Sequence, residues 1–343
     1  MILIKLISSL WFTTITISFL INYLLIKYSI PVLKYLNTID TPNDRSSHTR
    51  PTPKGIGIAI IISLIFLQFL FSIELDILFI ICLISLTVIS FINDYKQLSA
   101  IFRLIFQSII IYIILYFWPP LQNISLFNYL IPIWLENIFL FFAFLWFINL
   151  FNFMDGIDGI TGIQCLIISI GTITVLSLFN KTSEFELFLC GFISGSSAAF
   201  LLWNWHPAKV FLGDAGSIPL GFINFILMLI LCKNNLWFVA IILNSYYLCD
   251  STYTLLKRIK MKKKPWEAHK DHFYQFPIQK GVKHSTVSSF ILLHGMLMIL
   301  LSISTIIKPG LTSIILSLMI AGISTLFLLY YFKNKLFVEM VKK

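Results

Sequence analysis

Apolar stretches long enough to cross a bilayer alternate with short polar segments along the whole chain. A hydrocarbon core about 30 Å thick needs about 20 apolar residues in a helix, and a backbone exposed to lipid must satisfy its own hydrogen bonds by coiling into one. Windows of this kind lie at 5–27, 55–73, 76–93, 101–118, 134–151, 160–179, 186–203, 217–232, 236–256, 288–307 and 311–332. They predict an all-α polytopic membrane protein of about eleven transmembrane helices. Residues 1–343 read as one membrane-embedded domain without internal repeats, its site built from the polar segments 28–54, 94–100, 152–159, 204–216 and 257–287. Lys5 precedes an apolar run longer than a signal-peptide core and without a small-residue cleavage site, so the first window predicts a retained helix.

Composition agrees with the pattern, since 58% of residues are hydrophobic and 12% charged, against about 25% charged in soluble domains. A net charge of +10 raises nucleic acid as a partner. No basic stripe with interleaved aromatics occurs outside the loops, which points instead to anionic headgroups and phosphate-bearing substrates. Eleven crossings sort the Lys and Arg residues unequally: Lys5, Lys181, Lys233 and Lys308 fall on one side, and the other 21 of the 25 on the opposite side. The positive-inside rule then predicts an outside, periplasmic N-terminus and a cytoplasmic C-terminus. The five cysteines show no metal or redox spacing and read as small buried hydrophobes.

On the same topology every Asp except Asp76 lies at the cytoplasmic side, several at helix ends where a charge is costly and functional by default. Short carboxylates beside basic loops suit Mg²⁺ bound together with phosphate oxygens. In Asn149-Leu-Phe-Asn152-Phe-Met-Asp155-Gly-Ile-Asp158-Gly the two acids are three residues apart, and the glycines let a ligand approach the backbone. A plain turn explains an isolated Asp-Gly, but not the whole string. In Asn204-Trp-His-Pro-Ala-Lys209-Val-Phe211-Leu-Gly-Asp214-Ala-Gly-Ser, Asp214 stands at a helix start where free N–H groups could face a diphosphate. An N-cap alone accounts for neither the glycines nor Asn204 and Lys209.

Three further segments are less specific. Asn93-Asp94-Tyr-Lys96, followed by Arg103, has the composition of an ordinary solvated helix end as well as of a site. Asp40-Thr-Pro-Asn-Asp-Arg45-Ser-Ser-His48-Thr-Arg50-Pro-Thr-Pro-Lys54-Gly is half explained by turn chemistry. Arg258 and the later His269-x-x-His272 suit phosphate or sugar contact; zinc would need a second ligand pair that this loop lacks, and a solvated basic loop is the remaining reading.

Taken together over roughly residues 40–285, these strings resemble the polyprenyl-phosphate N-acetylhexosamine-1-phosphate transferases, in the same order along the chain. The superfamily includes the phospho-N-acetylmuramoyl-pentapeptide transferases, but the single His269-x-x-His272 is similar to the branch that begins O-antigen synthesis. The resemblance implies a Mg²⁺-dependent enzyme, with Mn²⁺ as a substitute. It would sit in the bacterial inner membrane with a cytoplasmic site, moving a sugar phosphate from a UDP-N-acetylhexosamine to undecaprenyl phosphate and releasing UMP, the first membrane step of a surface polysaccharide such as lipopolysaccharide.

It further implies Asp214 and Asp94 as metal ligands, Asp94, Asp155 and Asp158 as the catalytic acids, and Phe211 stacking on uracil beside Asn204. Asn152, Lys209, Arg258, His269, His272, Arg45, His48 and Lys54 become further substrate contacts. A homodimer is compatible with all of this. Two departures stand out: Asn93-Asp94 replaces a double aspartate, and Ile56 interrupts a glycine run. Two competing readings are a secondary transporter, which would place its ionisable residues near the midplane, and a catalytically silent scaffold, suggested by Asn93.

Overall fold

A computed structural model describes residues 2–42, 46–118, 132–264 and 269–334; Arg45 lies outside the described residues. Among them are twelve helices: α1 (Ile2–Tyr35), α2 (Gly57–Leu70), α3 (Ile77–Lys96), α4 (Ala100–Phe117), α5 (Ile133–Phe153), α6 (Ile160–Leu178), α7 (Glu184–Asn204), α8 (Asp214–Lys233), α9 (Trp237–Lys260), α10 (Gln275–Gln279), α11 (His284–Ile307) and α12 (Leu311–Lys333). Each of the eleven windows falls on a helix. Nine of these are long and apolar enough to cross a membrane. The other two fall short for different reasons. α2 has 14 residues, a rise of about 21 Å, and α9 carries a polar face.

That face of α9 turns inward: Asn244, Asp250, Ser251 and Thr254 are all buried. A polar residue inside a bundle is tolerated where neighbours supply partners, so α9 buries its polar face while Ile241, Tyr253, Leu256 and Ile259 stay exposed on the other. α6, α7 and α8 are mostly buried, whereas α1, α4 and α12 present most of their surface outward. α8 is the hub, packing against α2, α3, α5, α6 and α9. Gly57 and Gly216 allow the starts of α2 and α8 to meet, since a Cβ on Gly57 would stand 2.0 Å from the Gly216 Cα.

The acid outside the cluster has a local task. Asp76 caps α3, accepting from the Leu78 N–H at 2.7 Å. The short α10 in segment 257–287 has no counterpart in the hydropathy pattern. Two strands, β1 (Ile39–Asp40) and β2 (Thr52–Pro53), pair antiparallel and close the first polar loop. That loop docks on the approach to α8: Phe211 N–H donates to Pro53 O at 2.8 Å, and Gly55 N–H to Phe211 O at 3.2 Å. Gly55 holds φ at +102°, which a side chain would strain.

Candidate active site

The ends of α3 and α5, the start of α8 and the loops before α2, α6 and α11 enclose a cavity of about 330 Å³. His48, Lys54, Asp94, Asn152, Asp155, Asp158, Asn204, Phe211 and Asp214 line it, as do Ser47, Gln275 and His284. Segments separated by more than 200 residues therefore converge at one end of the bundle. Lys209, Arg258, His269 and His272 do not line the cavity.

α8 begins at Asp214, and its first N–H groups have no partner within the helix. Asp94 supplies one, accepting from Asp214 N–H at 3.1 Å and Ala215 N–H at 3.0 Å. Its charge also faces Lys54 Nζ at 3.7 Å. Gly213 must be glycine here, because a Cβ would lie 2.5 Å from the Asp94 carboxylate and φ is +72°. The Asp214 carboxylate receives three side chains: Asn93 Nδ2 at 2.6 Å and Arg103 Nη1 at 3.1 Å on Oδ2, and Asn152 Nδ2 at 2.8 Å on Oδ1.

The Asp155–Gly159 turn presents the other two acids in different surroundings. Asp155 accepts from the Thr161 hydroxyl at 2.6 Å. Burial pushes its pKa up to about 7 against that hydrogen bond, and Asp214, Asp94 and Asp158 add to the rise. Asp158 is buried too, but His284, His206 and the Ala208 N–H overcome burial and hold its carboxyl below the usual range. His206 Nδ1 lies 2.7 Å from Asp158 Oδ2, and Ala208 N–H donates to the same oxygen at 3.2 Å. His284 stands 3.2 Å from Oδ1 through Nδ1 and donates from Nε2 to Ser47 O at 3.1 Å, tying the first loop to the turn.

Sequence reasoning passed over His206, within the Asn204 string, and His284, at the start of α11. Neither sits in a spacing that marks a site, and only the fold brings both to Asp158. The three have ligand atoms within 4.8 Å of one another. His206 Nδ1 with Asp158 Oδ2 at 2.7 Å, and the Asp158 N–H donating to His284 Nδ1 at 3.2 Å, are hydrogen-bonded pairs, so this trio anchors the turn. Asn204 also works structurally, accepting from Gly159 N–H at 2.7 Å and donating to Val210 O at 2.9 Å.

Lys209 lies over the Trp203 ring at 5.3 Å. Arg258 pairs with Asp271 and donates to Lys264 O at 3.0 Å, closing its own loop. His269 stacks on His272 at 4.9 Å. Burial, with His272 and Arg258 beside it, lowers the His269 pKa to about 4. The loop reaches the site through Tyr274, whose hydroxyl donates to Phe153 O at 3.0 Å, just before Asp155.

Asp94, Asp155 and Asp214 offer hard oxygens around one cavity, a donor set that fits Mg²⁺. A second hollow of about 270 Å³ opens between α4, α5 and α9. Its wall is mainly apolar, with Leu104, Phe142, Leu145 and Trp146, and Arg103 belongs to it as well as to Asp214. Phe211 meets the His48 ring edge-on at 4.9 Å.

The Glycosyl transferase family 4 model matches residues 77–232. The chain is 32% identical over 166 residues to a probable undecaprenyl-phosphate N-acetylglucosaminyl 1-phosphate transferase of Bacillus subtilis, covering 47% of this chain and 45% of that protein. It is 37% identical over 71 residues to a phospho-N-acetylmuramoyl-pentapeptide-transferase of Koribacter versatilis, covering 17% and 19%. A protein of that same description from Gloeothece citriformis is 30% identical over 131 residues, covering 38% and 34%. The matched stretch thus spans less than half the length of each of these relatives. The end of α3, the Asp155–Gly159 turn and the Asp214 loop all lie inside the segment that matches Glycosyl transferase family 4.

Proposed function

We propose that this protein transfers N-acetylhexosamine 1-phosphate from a UDP-sugar to undecaprenyl phosphate, on the cytoplasmic face of a bacterial inner membrane. One observation carries the reading: Arg103 lines the apolar hollow and donates to Asp214, which lines the acid cavity. A lipid phosphate whose chain lay in the hollow would bring its head to the carboxylate cluster. The named activity of the Bacillus subtilis relative supports the same chemistry. The outside N-terminus and inside C-terminus follow from the Lys and Arg distribution, and the cell-surface polymer would be of the O-antigen type.

An oxygen of the lipid phosphate attacks the β-phosphorus of the nucleotide sugar; the bond from that phosphorus to the bridging oxygen breaks, and UMP leaves with the electron pair. Because the second pKa of a phosphate monoester is about 6, the acceptor is already mostly a dianion at neutral pH and needs no strong base. Such a transfer depends on positioning and charge neutralisation. Mg²⁺ held by Asp94, Asp155 and Asp214 would supply charge neutralisation at the diphosphate. Arg103 and Lys54 flank the same cavity with fixed positive charge, and Phe211 offers a ring for the base.

Purified protein in detergent with Mg²⁺, undecaprenyl phosphate and UDP-N-acetylglucosamine should release UMP, and Asp214→Asn should abolish release while the protein remains folded. A panel of UDP-sugars then decides which hexosamine is used. No UMP from any of them would favour the silent scaffold that Asn93 suggests. A transporter fits less well, because the acids gather at one end of the bundle.

A further inference from the structure

Asn93 sits in the last turn of α3, where its relatives by resemblance carry an acid. Its orientation is determined by its own helix end. Gln97 adopts a left-handed conformation with φ 51°, its N–H donating to Asn93 O at 3.0 Å, and Leu98 N–H donates to the Asn93 Oδ1 at 2.8 Å. With the amide oxygen used there, the NH₂ group faces Asp214 Oδ2 at 2.6 Å. Flipping the amide would leave the Leu98 N–H without its partner and set oxygen against oxygen. The Asn93 oxygen is therefore no ligand for a cation in the cavity. Arg103 donates to the same Oδ2, so two donors occupy the oxygen that a metal would seek.

We propose that Asn93 and Arg103, by donating to one carboxylate oxygen of Asp214, set a low divalent-cation affinity at this site, which a carboxylate at position 93 would raise. This rests on the reading of Asp214 as a metal ligand. An aspartate at position 93 has only acceptor atoms, and at the same spacing two carboxylate oxygens tolerate each other only with a proton or a cation between them. It also adds a negative charge close to the ion, an attraction that persists even at the dielectric of water. The amide replaces that demand with a satisfied hydrogen bond, so the metal-free cluster is already internally paired and a cation must displace donors to enter.

Mn²⁺ is the probe, titrated into full-length detergent-purified protein without nucleotide or lipid and followed by electron paramagnetic resonance. Asn93→Asp should bind Mn²⁺ at least tenfold more tightly than the wild type, and Arg103→Gln should shift affinity in the same direction. Equal affinity in wild type and Asn93→Asp, with binding lost in Asp214→Asn, would overturn the inference and leave the metal site standing. Absence of Mn²⁺ binding in wild type and both variants would overturn the metal-site reading itself. An Asn93→Asp protein that folds only with Mn²⁺ present supports the proposal. Should that variant fold under neither condition, Arg103→Gln decides, and an unchanged affinity there counts against it.

Discussion

Asp250 accepts from His272 Nδ1 at 2.9 Å, with both side chains buried. The same carboxylate takes the N–H groups of Phe273 and Tyr274 at 3.1 and 3.3 Å and the hydroxyls of Tyr246 and Thr254, each at 3.2 Å. One side chain on α9 thereby pins the segment that carries Tyr274 to the site. Asp250→Asn keeps the shape but turns an NH₂ group toward donors, a mismatch costing about 1–3 kcal/mol. Its melting temperature should drop, and the amides of residues 273 and 274 should exchange faster with solvent. Unchanged exchange at those two amides would show that the segment is held by other contacts.

Gly156 is the point where Tyr274 presses on the acidic turn. A Cβ there would come within 2.2 Å of the Tyr274 hydroxyl and 3.1 Å of its Cζ. Gly156→Ala should lower kcat at least tenfold by displacing Asp155. Adding Tyr274→Phe removes the nearest clashing atom, so the double variant should recover part of the loss. A double variant no better than Gly156→Ala would mean that the glycine serves ligand approach instead.

Phe211 is held by its own backbone, through Pro53 O and Gly55 N–H, which leaves its ring to line the cavity. Stacking of a base on an aromatic ring is worth about 1–3 kcal/mol. Phe211→Ala should therefore raise the KM for the nucleotide sugar on the order of tenfold or more, with a smaller change in kcat. An unaltered KM would place the base elsewhere.

The two acids of the turn give opposite pH signatures. Asp155 has a folded pKa of about 7 against 3.8 for the ordinary group, so the folded protein holds a proton that the unfolded chain has lost. With divalent cations chelated, stability should fall as pH rises from about 4 through about 7, and Asp155→Asn should make that slope shallower. Asp158 is lowered; its contribution is present above 3.8 and disappears as pH falls through its folded value. Burial raises Asp94 to about 7 as well, so the difference between wild type and Asp155→Asn in melting temperature from pH 5 to 8 gives the share of Asp155, and identical slopes would contradict the burial argument.

Hydropathy determines the eleven helical segments because burial in lipid acts locally on about 20 consecutive side chains, and the resemblance of short strings reached Asp94, Asp155, Asp158, Phe211 and Asp214 in the same way. The number of apolar spans was less legible. α9 looks like a span by length, yet its polar residues are explained only by the partners that the packed bundle brings to Asp250.

Tertiary structure alone decided which donors surround each acid. His284 comes from the start of α11 to Asp158, Asn93 turns its amide to Asp214 because Leu98 takes its oxygen, and His272 faces Asp250 rather than the cavity. Hydrogen bonds act over about 3 Å and between residues as much as 237 positions apart. The pattern along the chain could name the acids, but their charge state and free lone pairs were set by neighbours that only folding supplied.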